Sequence, residues 1–223
     1  MSEDKIKIYC NKCQQETWHD ILFFKDYRWS DDEFPIDGGG DYTVAECRGC
    51  ESVSYQERSW FSEDVKPDGT LDITVGRYPP KTLRSKPAWF GNLQLQKLFD
   101  DDDFMQLFNE IYIAMQNNCK SLAIMGIRAL LERIMIENCS DQGTFQKNLD
   151  KFEEKGFISA IQKEAIVSVL EVGHATIHRA FDPKLEDLIS ALDITENIVE
   201  SIYVNKTKAK RIIKNVPKKN GNA

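Results

Sequence analysis

The chain has 223 residues, 41% of them hydrophobic, and a net charge of −7. That length suits one domain or two with a real core. No apolar run approaches a membrane span and the start, "MSEDKIKIYC", has no signal-peptide core, so no membrane association and a cytoplasmic location are expected. Charge is uneven: residues 206–223, "KTKAKRIIKNVPKKNGNA", hold seven Lys or Arg and no acid, leaving −14 on the rest. An acidic body argues against a broad nucleic-acid-binding face and leaves the basic C-terminal tail as the place for an RNA or DNA contact.

Residues 1–80 read as a small β module. "KIKIYC", "WHDILFF", "DYTVAEC", "ESVSYQERSW" and "LDITVG" have the β-branched and aromatic content of short strands. "DDEFPIDGGGD" reads as a loop and "VKPDGT" as a hairpin turn. Two C-x-x-C knuckles, Cys10–Cys13 and Cys47–Cys50, each follow a strand and stand 33 residues apart. Four thiolates in tetrahedral array suit Zn²⁺, and four protein ligands leave no open position for a substrate, so a structural zinc is expected. A redox dithiol would explain one knuckle but not two, and disulfides are disfavoured in the cytosol. Such a module has little core of its own and needs a metal staple. His19, in "QQETWHD", reads as a strand histidine near a ligand set that the cysteines already complete.

"KTLRSKPAWFG", residues 81–91, closes a proline-rich run and reads as a linker. Residues 92–205 then follow helical periods, with helices expected near 92–117, 119–138, 144–155, 158–180 and 184–213. Asp182 and Pro183 have the character of an N-cap and first helical turn. "CKSLAIMGIRALLERIMIENC" is apolar around most of its circumference and marks a central helix, with Cys119 and Cys139 as buried thiols. Arg128 and Glu132 interrupt it at a spacing that lets them pair. In "EVGHATIHRAF", His174 and His178 sit four apart. A metalloprotease motif needs Glu at the second position, where this chain has Ala175, so a metal site is not expected there. Gly173 within this helix suggests a close helix crossing or a break.

Four blocks carry a resemblance: "IYIAMQNNCKSLAIMGIRALLERIM", "TFQKNLDKFEEKGFIS", "VLEVGHATIHRAFDP" and "DLISALDITENIVESIY". In order, spacing and character they resemble the domain of unknown function 4145 family, across roughly residues 85–204. The cysteine-bearing front with "AECRGCESVSY" and "YPP" is similar to the longer members. Members often carry G-N-x-x-x-H at the end of the penultimate core helix. Here His174 replaces the Asn and His178 holds the final His. The family is similar in turn to the HEPN superfamily of helical bundles, whose nucleases meet as dimers and cut RNA without metal, using Arg and His.

The resemblance therefore implies an α+β chain, a zinc-ribbon-like module followed by an all-α HEPN-like bundle that forms a homodimer through its helical half. In the nuclease motif the Arg position corresponds to Gly173, so the motif lacks its electrostatic half. Mapped onto this chain, catalytic candidates are His178 and His174, with Arg128 supplying charge and Glu132 orienting a histidine. Relatives are often fused to or beside restriction and phage-defence components. The expected function is then a non-catalytic module acting through protein or nucleic-acid contacts, an accessory in prokaryotic defence with a protein partner in that system. The alternative is a metal-independent endoribonuclease built on His178.

Overall fold

A computed structural model describes residues 4–91 and 102–216 and divides the chain into two units, Met1–Leu83 and Arg84–Ala223. The first unit is a curled antiparallel meander of β1 (Lys5–Cys10), β2 (Gln15–Ser30), β3 (Asp37–Cys47), β4 (Val53–Phe61) and β5 (Thr74–Tyr78), paired in that order. Alternation sets the faces. In β1, Ile6, Ile8 and Cys10 turn inward while Lys5 and Lys7 are exposed. The inner face continues through His19, Thr43, Ala45, Cys47 and Ser54, all buried. Apolar burial in this unit amounts to Ile8, Cys10, Ala45 and Cys47 among the described residues. The outer face carries stacked rings, Tyr27 on Tyr42 at 5.2 Å and Trp29 on Phe61 at 5.9 Å.

Register ties the ends of the sheet together. A bulge between Ile21 and Phe23 resets the β2–β3 pairing, so that Phe24 faces Thr43, Asp26 faces Asp41 and Arg28 faces Gly39. β1 runs beside β2 only from Gln15 to Asp20. The "DDEFPIDGGGD" segment is shorter as a loop than its glycines suggest: β3 begins at Asp37 and includes Gly38, Gly39 and Gly40. A Cβ at Gly40 would lie 2.0 Å from the Arg58 carbonyl oxygen, so the close approach of β4 requires glycine there. The "VKPDGT" turn forms as expected, with Val65 bridged to Leu71 and Gly69 at φ +83°.

The second unit is helical: α1 (Asp102–Gln116), α2 (Lys120–Cys139), α3 (Phe145–Glu154), α4 (Ala160–His178), α5 (Leu185–Val199), a π turn (Glu200–Val204) and α6 (Asn205–Asn215). The expected first helix reaches the described residues only from Asp102; positions 92–101 lie outside them. α2 is the core, burying Ile124, Ile127, Leu130, Leu131 and Ile134 against Phe108 and Tyr112 of α1, Phe152 of α3 and Leu188 and Leu192 of α5. Residues 84–91 pack within this unit: Trp89 is buried beside Phe90 and Phe108, and Arg84 pairs with Asp193 and Glu196. Glu196, buried in the bundle, also accepts the Tyr112 hydroxyl.

Helix ends follow local chemistry. Thr144 accepts from the Lys147 amide, and Ser159 with Gln162 forms a reciprocal capping box. The start of α5 corrects the expectation at Asp182. Its carboxylate is taken by Lys120 at 2.6 Å, and the N-cap falls at Lys184, whose amide donates to Asp187 at 3.0 Å. Cys139 is buried as expected, but Cys119 is exposed, because it sits in the turn between α1 and α2. α6 buries no residue, as its basic composition dictates.

Candidate metal centre and helical histidines

The β1–β2 and β3–β4 turns are near copies of each other. In the first, the Gln14 amide donates to the Cys10 carbonyl at 2.7 Å and Gln14 adopts φ +55°. In the second, the Glu51 amide donates to the Cys47 carbonyl at 2.8 Å and Glu51 adopts φ +59°. Each turn aims two sulfurs inward, and all four, from Cys10, Cys13, Cys47 and Cys50, lie within 4.8 Å of one another. Cys10 and Cys50 sulfurs are 3.4 Å apart and those of Cys13 and Cys47 are 3.8 Å apart. A tetrahedral ion with metal–sulfur bonds of about 2.3 Å would set them about 3.8 Å apart. These four cysteines could hold a metal ion.

Neighbouring donors prepare the sulfurs for ionisation. Burial pushes the Cys10 thiol up, but the Ser52 hydroxyl at 3.3 Å and the Cys13 amide at 3.4 Å outweigh it and bring its pKa down to about 6. Cys47 is likewise lowered against its burial, by the Thr17 hydroxyl at 3.2 Å and the Gly49 amide at 3.4 Å. Cys13 moves the other way, up to about 12, because its hydrogen bond to Cys50 and the remaining sulfurs favour its proton. Four adjacent thiolates need a cation among them, and Cys13 keeps its proton until one arrives.

Beside Cys10 lies a cavity of about 110 Å³ lined in part by His19, Ser52, Ser54 and Arg77. His19 is 1% exposed and its Nδ1 donates to the Thr17 carbonyl at 3.0 Å, the role of a strand histidine that the sequence suggests. Arg77 Nε and Ser54 Oγ are buried without a hydrogen-bond partner among the described residues. Burial lowers the Arg77 pKa, and the adjacent Cys10 charge opposes that shift. Asn11, inside the first knuckle, accepts from the Thr82 amide and donates to the Pro80 carbonyl, tying the knuckle to the chain after β5.

The helical candidates fall at the end of α4. His174 and His178 are exposed, with ring centroids 4.6 Å apart. Arg179 is held by Glu171, whose carboxyl this hydrogen bond lowers. Gly173 is the crossing point with α2: a Cβ there would meet the Arg128 side chain at 3.7 Å. The Arg128 guanidinium lies over the Phe145 ring at 5.8 Å, and no ion pair joins it to Glu132 among the described residues.

A family model covers much of the helical unit. Domain of unknown function (DUF4145) matches residues 109–215. The matched span runs from the middle of α1 through α6 and contains His174, His178, Arg128 and Glu132. No curated protein matches the chain, and no solved structure does. Beyond the four cysteines, Thr17, Ser52 and Arg77 belong to the metal centre, and no local pattern marks Thr17 or Arg77. They arrive there through strand register. A small polar residue two positions after a knuckle, as Ser52 follows Cys50, is the one signal that points toward them.

Proposed function

We propose that the protein is a non-catalytic binding module in which Cys10, Cys13, Cys47 and Cys50 hold a structural Zn²⁺. Zinc fits the donor set because four thiolates favour a soft tetrahedral ion and close its coordination sphere. The observation that carries the binding role is the run of exposed apolar side chains along β2, Trp18, Leu22, Phe23, Phe24 and Trp29. Large apolar side chains left exposed on a small module, three of them consecutive at Leu22–Phe24, serve macromolecular contact. The resemblance of the helical unit adds the setting, an accessory to prokaryotic phage-defence components. The helical histidines support this reading, since neither nearby arginine is free to serve them: Glu171 engages Arg179 and Arg128 lies over Phe145.

A second reading, a metal-independent endoribonuclease of HEPN type, draws on the proximity of the His174 and His178 rings. Purified protein incubated with RNA and EDTA, beside a His178→Ala variant, separates the two. The binding module leaves RNA intact in both samples. Cleavage that persists in EDTA and disappears in the variant overturns it. Circular dichroism recorded in the same buffer shows whether chelation has unfolded the β unit.

A further inference from the structure

β2 is sixteen residues long, yet β1 covers its outer edge only as far as Asp20, with a last hydrogen bond from the Ile21 amide to the Asp4 carbonyl. From Leu22 to Ser30 this edge has no ladder partner among the described residues. Its first part is apolar, with Leu22, Phe23 and Phe24 between 54% and 56% exposed. A long, exposed, apolar strand edge is a template for another strand.

The charges along this edge identify that strand. Asp26 lies directly opposite Asp41 on one face, and like charges in that position destabilise a sheet. Arg58 answers Asp41 at 3.9 Å, while Asp26 makes no ion pair among the described residues. Arg28, two positions along on the same face, also makes none. Each β2 edge therefore presents one carboxylate and one guanidinium without an ion-pair partner among the described residues.

We propose that the free edge of β2 pairs antiparallel with the same edge of a second copy of this chain, about a two-fold axis through Tyr27. Such an axis stands perpendicular to the sheet and keeps each face on its own side. Asp26 then faces the partner's Arg28 and Arg28 faces the partner's Asp26. On the other face, Lys25 meets the partner's Trp29 and Tyr27 meets the partner's Tyr27. An axis through Lys25, Asp26 or Arg28 would instead set identical charges opposite each other. The pairing joins two five-stranded sheets into one.

Sedimentation equilibrium on the full chain, alone and with reversed charges, tests the pairing. The wild type forms a dimer in the micromolar range. D26R and R28D each place like charges opposite one another twice across the axis, and each raises the dissociation constant about tenfold or more. Mixing the two variants restores the dimer, because D26R presents two arginines to the two aspartates of R28D; rescue also shows that both are folded. A monomeric wild type overturns the proposal. So does a dimer indifferent to either reversal, which places the contact elsewhere, or a failure to recover on mixing.

Discussion

The two units solve the problem of stability in opposite ways. The helical unit wraps α2 on several sides, and Ile124, Ile127, Leu130 and Ile134 are all fully buried. Its charged interior residue, Glu196, is matched by Arg84 and Tyr112. The β unit has a strip of buried apolar groups, two of which are metal-ligand candidates, and its inner face is otherwise polar. A single curled sheet has no second layer to bury its inner side against. Where the helical unit uses side-chain volume, the β unit uses sulfur.

Metal removal is the strongest way to separate them. Zinc bound to four thiolates supplies on the order of 10 kcal/mol of folding free energy to modules of this kind. Chelation, or Cys47→Ser, is expected to abolish amide-exchange protection across β1–β4 while α2 and α5 keep theirs. Simultaneous loss of protection in both units would show that the helical unit leans on the metal too. The reciprocal perturbation is Ile127→Ala, a truncation at a fully buried position that costs about 2–5 kcal/mol. It should lower the melting transition of the helical unit and leave bound metal, measured by inductively coupled plasma mass spectrometry, unchanged.

Acidity sharpens the contrast because only the β unit depends on ionised thiols. The Cys10 pKa of about 6 lies below its ordinary value of about 9, so the stabilisation it lends is complete above that ordinary value, partial in neutral solution and lost as pH falls through 6. Cys13, near 12, gives up its proton to the metal at any physiological pH. Metal affinity should thus fall about tenfold per unit of pH for each proton displaced, and fall more steeply below about pH 6, where Cys10 adds a proton. A competition titration with a chromophoric chelator reads that slope; a constant slope from pH 5 to 8 would contradict the assignment. The smallest effect is expected at the end of α4, where Ala180 adopts φ +51°. Ala180→Gly should stabilise the helical unit by about 1 kcal/mol, seen as a small rise in its melting temperature with the β unit unaffected.

What was legible in the chain follows the range over which residues act. The four cysteines are visible because a knuckle is a local object: C-x-x-C with its turn is complete in a few residues. The central place of α2 is visible for the same reason, since an apolar circumference has few other uses. The length of β2, the strand character of Gly38–Gly40 and the donors around the sulfurs were hidden. Each depends on a neighbour distant in sequence, as Gly40 depends on the Arg58 carbonyl and Cys10 on Ser52. Asp182 misled because its carboxylate had a better partner in Lys120 than in the next helix. The histidines are plain in the chain, yet their surroundings depend on the crossing of α4 over α2, which sets Arg128 against Gly173.

The placement of the four tryptophans makes the molecule optically divisible. Trp18 and Trp29 stand half in water on the sheet and Trp60 lies on β4, whereas Trp89 is buried among Phe90 and Phe108 and is the sole tryptophan from residue 84 onward. Its emission belongs to the helical unit alone and lies to the blue of the sheet's, so a spectrum recorded during denaturation resolves by colour which half of the chain has opened.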